Sequence, residues 1–225
     1  MAKTRQRIAA EDQRRAVELN TRGLKHFKTW DMAEAVADFE AAAHLVPHHA
    51  DYWLNHARAL ARSGDYDRAL KSLAEFIRVE KDPELVERYE RLFANAMDEV
   101  ETLLTRKMTA AELPMEEIGA AIQMWLEYRI TIGRQSLVIR KPEAWAAALD
   151  FTIRRVNLKI VPAKDVAATY GISEQTLRER HHALIKVLDV MPCDYRYFAG
   201  KDNPLDKLVE AAEMLAQLEE KFQQP

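Results

Sequence analysis

Residues 16–49 read AVELNTRGLKHFKTWDMAEAVADFEAAAHLVPHH, and residues 50–83 read ADYWLNHARALARSGDYDRALKSLAEFIRVEKDP. Laid over each other at a shift of 34 residues, Ala16 falls on Ala50, Leu19 on Trp53 and Gly23 on Ala57. Asp31 then falls on Asp65, Ala35 on Ala69, Val36 on Leu70, Phe39 on Leu73 and Leu45 on Val79. A fixed period of this size is the mark of a repeat architecture, in which each unit buries its apolar face against the next. Each copy suits two helices around a short turn, near Thr29-Trp30-Asp31 in the first and Ser63-Gly64-Asp65 in the second. Small residues at Gly23, Ala57, Ala35 and Ala69 let paired helices approach closely, and Trp53, Phe39 and Leu73 fill the space beside them.

The pair resembles tetratricopeptide repeats, 16–49 and 50–83. That family places a small residue late in its first helix, an alanine early in its second, then an aromatic, a small residue and a proline. Gly23, Ala35, Phe39, Ala42 and Pro47 meet the pattern in the first copy. The second keeps Trp53, Ala57, Gly64, Tyr66 and Ala69, but has Phe76 where a small residue is usual and a late proline at Pro83. The resemblance implies a concave face that binds a protein partner. Asn20, Leu24, Phe27 and Lys28 would face it from the first copy, and Asp51, Asn55, Arg58 and Arg62 from the second. Leu24 breaks the pattern by which some members grip a peptide carboxylate, so no such clamp is expected. The alternative occupant of the groove is the protein's own second half. Beyond the repeats, Asp82-Pro83 suits a helix start. Leu85, Tyr89, Leu92, Phe93, Ala96, Val100, Leu103 and Leu104 continue at helical spacing, which predicts one long capping helix over 83–106.

Composition agrees with an all-α class. The chain has 225 residues, with 6 glycines, 8 prolines and 34 alanines, so strand and turn formers are scarce. It is 48% apolar and 31% charged, a globular balance. No apolar run approaches the roughly 20 residues of a membrane span, and the charged start Met1-Ala-Lys-Thr-Arg-Gln-Arg has no apolar stretch behind it, so no secretory leader is expected. A single cysteine, Cys193, excludes an internal disulfide framework. The expected location is therefore cytoplasmic. Net charge is −3, unevenly spread. Residues 130–187 hold ten basic and five acidic groups, whereas 84–129 and 188–225 are both acidic. A short basic segment, 1–15, precedes the repeats. A basic block in an acidic chain can meet a polyanion, or it can be an ordinary solvated surface.

The basic block contains the other informative stretch, Val161-Pro-Ala-Lys-Asp-Val-Ala-Ala-Thr-Tyr-Gly-Ile-Ser-Glu-Gln-Thr-Leu-Arg-Glu-Arg180. Its spacing predicts a helix-turn-helix. Val166 and Ala167 face inward from the first helix, with Ala167 small at the crossing. Gly171 permits the tight turn and Ile172 plugs the core. Ser173 caps the second helix, Glu174 suits its positive end, and Leu177, His181 and Leu184 anchor it. Upstream, Ile118, Ala121, Ile122, Trp125 and Tyr128 form a helical stripe ended by Gly133. Another helix opens at Lys141-Pro142, with Trp145, Ala148, Leu149, Thr152, Ile153 and Val156 as its buried face.

From Gly119 to Leu188 the order of parts resembles one cyclin-like repeat of the transcription factor B family. Lys141-Pro142, Ala146 to Phe151, Arg154-Arg155, Lys164 to Ala167, Tyr170 to Glu174 and Thr176 to Arg180 carry the likeness. That family has two such repeats and a cysteine-rich zinc ribbon; this chain has one repeat and one cysteine. If the helix beginning at Ser173 enters a major groove, Ser173, Glu174, Gln175, Arg178, Glu179 and His182 form its reading face. Arg178 suits guanine and Gln175 suits adenine. Arg180, Lys186, Lys164 and Arg154 are placed nearer phosphates. Against this, Glu174 and Glu179 repel phosphates, and the same motif could serve protein contact alone.

Other constellations carry no chemistry. His44, His48 and His49 crowd one helix end, but Pro47 breaks the register that converging metal ligands need. There is no phosphate-cradling glycine loop, no catalytic partner for Cys193 and no residue set for an enzyme; no cofactor is expected. Asn203-Pro204 opens a final helix, 203–222, with a stripe of Leu205, Leu208, Ala212, Leu215 and Phe222 that folds back or pairs with a second copy. The domains read as 16–108 for the repeats and cap, and 115–190 for the helix-turn-helix, with Thr109 to Pro114 as linker. The expectation is a non-enzymatic, DNA-binding regulator of transcription or adaptor, nucleoid-associated if it binds duplex DNA, and a possible homodimer. The rival is a scaffold that binds proteins and never touches DNA.

Overall fold

A computed structural model of the chain describes residues 2–94, 96–201 and 203–209, together with 212 and 214. Among the described residues it is all helical, with no strand. The chain divides into two compact units, Met1–Ala96 with Leu126–Val138, and Met97–Trp125 with Ile139–Pro225.

In the first unit α1 (Ala2–Thr29), α2 (Met32–Leu45), α3 (Ala50–Arg62), α4 (Tyr66–Val79) and α5 (Pro83–Glu90) follow one another, each packed on the next. The turns fall where the sequence puts them. Gly64 takes the left-handed backbone at φ +85° between α3 and α4. Trp30, its counterpart 34 residues earlier, takes φ +65° with a large side chain. Asp65 caps α4, accepting from the Arg68 N–H at 3.1 Å. Helices α1 and α2 close on Gly23. A Cβ there would lie 2.8 Å from the Phe39 ring and 3.2 Å from Asp38 Cβ. Ala35, Ala57, Ala69, Phe39, Leu73 and Phe76 are all buried. Trp53 is buried too, and its indole N–H donates to the Pro47 carbonyl at 2.9 Å.

The segment Leu126–Val138 completes this unit. Arg58 Nε donates to the Thr131 carbonyl at 2.9 Å, and the Tyr89 hydroxyl donates to the Gly133 carbonyl at 2.9 Å. Arg88 bonds the Gly133 and Gln135 carbonyls. Arg134 pairs with Asp51 at 2.6 Å and with Glu80. The fully buried Glu127 accepts from the Tyr66 hydroxyl at 3.1 Å. Backbone carbonyls past a helix end need such partners.

The second unit holds α6 (Glu99–Ala110), the first part of α7 (Met115–Thr131), α8 (Pro142–Val156), α9 (Ala163–Tyr170) and α10 (Glu174–Leu188). Its centre is α8, buried continuously from Ala144 to Ile153, with α6, α9 and α10 packed against it. Trp125 and Trp145 meet at a centroid distance of 5.4 Å. The turn after α10 ties back to α8. Cys193 N donates to the Val156 carbonyl at 3.2 Å, and Asn157 accepts from Ala199 N at 2.7 Å.

Two expectations are corrected. The capping helix over 83–106 is broken: α5 ends at Glu90, a single 3-10 turn spans Arg91–Phe93, and α6 restarts at Glu99. The restart has its own signal. Asp98 accepts from Glu101 N at 2.8 Å while Glu101 accepts from Asp98 N at 2.9 Å, a capping box. Of the Thr109 to Pro114 stretch, Thr109 and Ala110 end α6 and 111–114 turn into α7; both helices contribute to the second unit, so the compact units part at Ala96 instead. Of the final helix, Asn203 accepts from Leu205 N at 2.9 Å and residues 204–209 are helical, as expected. Leu215 and Phe222 lie outside the described residues.

Candidate functional site

The arrangement of α8, α9 and α10 is set by local chemistry. α9 ends because Gly171 adopts φ +68°, with the Ile172 N–H returning to the Ala167 carbonyl at 3.0 Å. The cap of α10 comes two residues later, where Ser173 Oγ accepts from Thr176 N at 3.2 Å. Val166 and Ala167 of α9 and Leu177 and Leu184 of α10 are buried, as the spacing predicts. His181 is half-buried. Its Nδ1 bonds the Thr152 hydroxyl at 2.8 Å and its ring meets Phe151 edge-on. Burial, reinforced by Arg155 and Arg178, lowers its pKa to about 4, so it is neutral near pH 7 and adds no charge to the surface.

Gln175, Arg178, Glu179, His182 and Lys186 are exposed along one stripe of α10, as their i, i+3, i+4, i+7, i+11 spacing requires. Ser173 is exposed at its start and Glu174 is half-buried beside it. Polar groups of the first turns are already engaged with one another. Arg178 Nε donates to Glu174 Oε1 at 2.8 Å and its Nη2 lies 2.6 Å from the same oxygen. Gln175 Nε2 donates to Glu179 Oε1 at 3.0 Å. Arg180 is exposed on the flank, its guanidinium 5.0 Å from the Trp145 ring centre. Lys164 is exposed on the first turn of α9.

Arg154 is the correction. It is turned inward, pairing with Asp150 at 2.6 Å, and Asp150 is buried and also accepts from the Tyr170 hydroxyl at 3.1 Å. Burial and the Asp150 carboxylate push the Tyr170 pKa up. Arg154 therefore neutralises a buried carboxylate instead of reaching a phosphate. Its neighbour Arg155 is exposed, one position on in the helix. The spacing alone could have separated them, because Asp150 lies four residues before Arg154 and nothing acidic lies four before Arg155.

In the first unit, Asn20, Leu24, Asp51, Asn55 and Arg58 line one groove of about 510 Å³, as expected. Asn55 donates to Asn20 at 2.9 Å and accepts from Arg58 at 3.0 Å. Phe27 and Arg62 are corrected: both are buried, with the Arg58 and Arg62 guanidinium carbons 5.2 and 4.9 Å from the Phe27 ring centre. Lys28 is exposed away from the lining. Ile132 to Gln135 forms one wall, so the groove is partly filled by the chain itself. The sequence raised the protein's own second half as an occupant of this groove but did not name the segment, because no short-range pattern announces it. Among the described residues there is no His, Cys, Asp and Glu group able to hold a metal, and no helix is long and apolar enough to cross a membrane.

No protein-family profile and no solved structure matches the chain. It is similar to YccF, an uncharacterized protein of Bacillus subtilis (strain 168), at 31% identity over 99 residues. The match covers 43% of this chain and 27% of YccF, so the chain spans about a quarter of the length of this curated relative.

Proposed function

We propose that the chain is a DNA-binding adaptor in transcription, in which α10 contacts duplex DNA and the groove of the first unit takes a protein partner. The observation that carries the proposal is α9, a glycine turn and a serine-capped α10 whose outer stripe is polar and charged while its inner face is buried. A helix so presented fits a major groove through its N-terminal residues. The location this implies is intracellular, on the nucleoid. The likenesses to tetratricopeptide repeats and to a cyclin-like repeat support the same reading.

The test is a fluorescence titration with duplex DNA at several salt concentrations. If α10 and its flanks contact about four phosphates, log affinity falls with log salt at a slope near −3.6. Arg178→Ala should weaken a preferred site by about 1–3 kcal/mol and relax base choice there, whereas Lys186→Ala weakens all sequences alike. No binding at low salt, by monomer or assembled form, replaces this reading with a protein-binding scaffold.

A further inference from the structure

Carboxylates on a DNA-facing helix are a liability unless they do something else, because they repel phosphates. Here the two carboxylates of the first turns of α10 are spent on the two side chains suited to bases. Glu174 holds the Nε and Nη2 edge of Arg178, and Glu179 holds one N–H of Gln175. A guanidinium is a planar fork with five donors. With its Nε edge held, its far end, Nη1 and the outer Nη2 hydrogen, still keeps two parallel donors. Guanine presents two adjacent acceptors, N7 and O6, in the major groove. Gln175 likewise keeps its carbonyl oxygen and a second N–H, the pair that adenine N6 and N7 require.

Resting on the DNA-binding reading above, we infer that Glu174 is a positioning residue: it fixes the Arg178 guanidinium edge so that the opposite end reads guanine, and Glu179 fixes Gln175 in the same way. Pinning a rotamer-rich side chain before binding removes part of the ordering cost at the moment of recognition. The two carboxylates thus lower affinity for DNA in general and raise discrimination between bases. A merely solvated ion pair would affect only the first of these.

The experiment selects preferred duplexes from a randomised pool with the wild-type protein, then measures the base profile and overall affinity of Glu174→Ala, Glu174→Gln and Glu179→Ala. Thermal melting accompanies each variant to show that it is folded. Glu174→Ala should bind unselected duplex more tightly at low salt, and its guanine preference at one position should fall about fivefold or more. Glu174→Gln keeps an acceptor for Arg178 and should retain more of that preference while gaining the same general affinity. Glu179→Ala should relax a neighbouring adenine position. If Glu174→Ala keeps the wild-type base profile and changes only overall affinity, Glu174 is a surface charge and the inference falls while DNA binding stands. Wild type that binds every sequence equally also overturns it. Wild type that binds no duplex overturns the DNA-binding reading and this inference together.

Discussion

Two glycines inside helices have opposite surroundings. Gly23 faces the edge of a Phe39 ring that is itself buried, so an added methyl has no room; Gly119, in α7, faces open space. Overpacking costs about 1–3 kcal/mol, and alanine regains up to about 1 kcal/mol of helix propensity. Gly23→Ala should therefore lower the urea midpoint, and Gly119→Ala should raise stability by about 1 kcal/mol. Equal shifts would show that α1 and α2 do not close on Gly23. A second prediction concerns His56, which is buried with Nδ1 on the Ser72 hydroxyl at 2.9 Å and Nε2 without a hydrogen-bond partner. Burial lowers its pKa to about 4 from 6.5. The unfolded chain takes up this proton below about pH 6.5 and the folded chain only near pH 4, so stability falls with pH across that window, by about 3 kcal/mol. His181 adds a loss of the same sign. Denaturation midpoints between pH 8 and pH 4.5 measure it, and His56→Gln should flatten the curve. The small-residue crossing at Gly23 was legible because sequence spacing alone pairs it with Ala57. The φ +65° of Trp30 was not, since the aligned Gly64 advertises a left-handed turn and a tryptophan does not.

The start of α6 concentrates several bonds on one side chain. Asp98 closes the capping box and also accepts the Trp125 indole N–H at 2.8 Å. Asp98→Ala should cost about 2–4 kcal/mol, about 1 from the cap and the rest from removing a buried donor's partner. Thermal unfolding measures this, and a loss below about 0.5 kcal/mol would mean that water replaces both bonds. In the repeat pair, Trp53→Ala should cost about 3–5 kcal/mol, the range for a large buried ring. Periodicity over 83–106 joined α5 and α6 because apolar residues continue through the break in compatible phase. The aspartate and glutamate three apart, Asp98 and Glu101, are the sequence signal of the restart. Helix identity follows from near neighbours in the chain, so the repeat part of α1, α2 to α4 and α7 to α10 were readable, whereas the segment 1–15 read as separate is continuous with α1 from Ala2; the inward turn of Arg154 needed its i−4 partner to be weighed as well.

At the scale of the molecule, the first unit is not a continuous stretch of chain. Leu126–Val138 supplies backbone carbonyls to Arg58, Arg88 and Tyr89, and its own Arg134 pairs with Asp51 and Glu80, all from more than 40 residues away. No local pattern encodes that return, which is why the sequence reading placed one boundary near 109–114. A fragment of residues 1–112 lacks the segment and should melt at lower temperature than the first unit in the whole chain. A synthetic peptide of residues 126–138 should raise that temperature when added in excess. A fragment that melts unchanged would show the segment to be a passive strap.

The same discontinuity has a consequence during synthesis. Helices α1 to α5 are complete once residue 96 has left the ribosome, yet their unit is closed only after residue 138, so 42 further residues must be translated (138 − 96). At about 5–20 residues per second, that is a wait of about 2–8 s. Throughout it the groove beside Arg58 lacks its wall of Ile132 to Gln135, and the Tyr89 hydroxyl lacks the Gly133 carbonyl. A nascent chain in this window offers a chaperone or a neighbouring chain a wider groove than the finished protein has. The elongation rate between residues 97 and 138 therefore sets how long the newly made protein is open to capture.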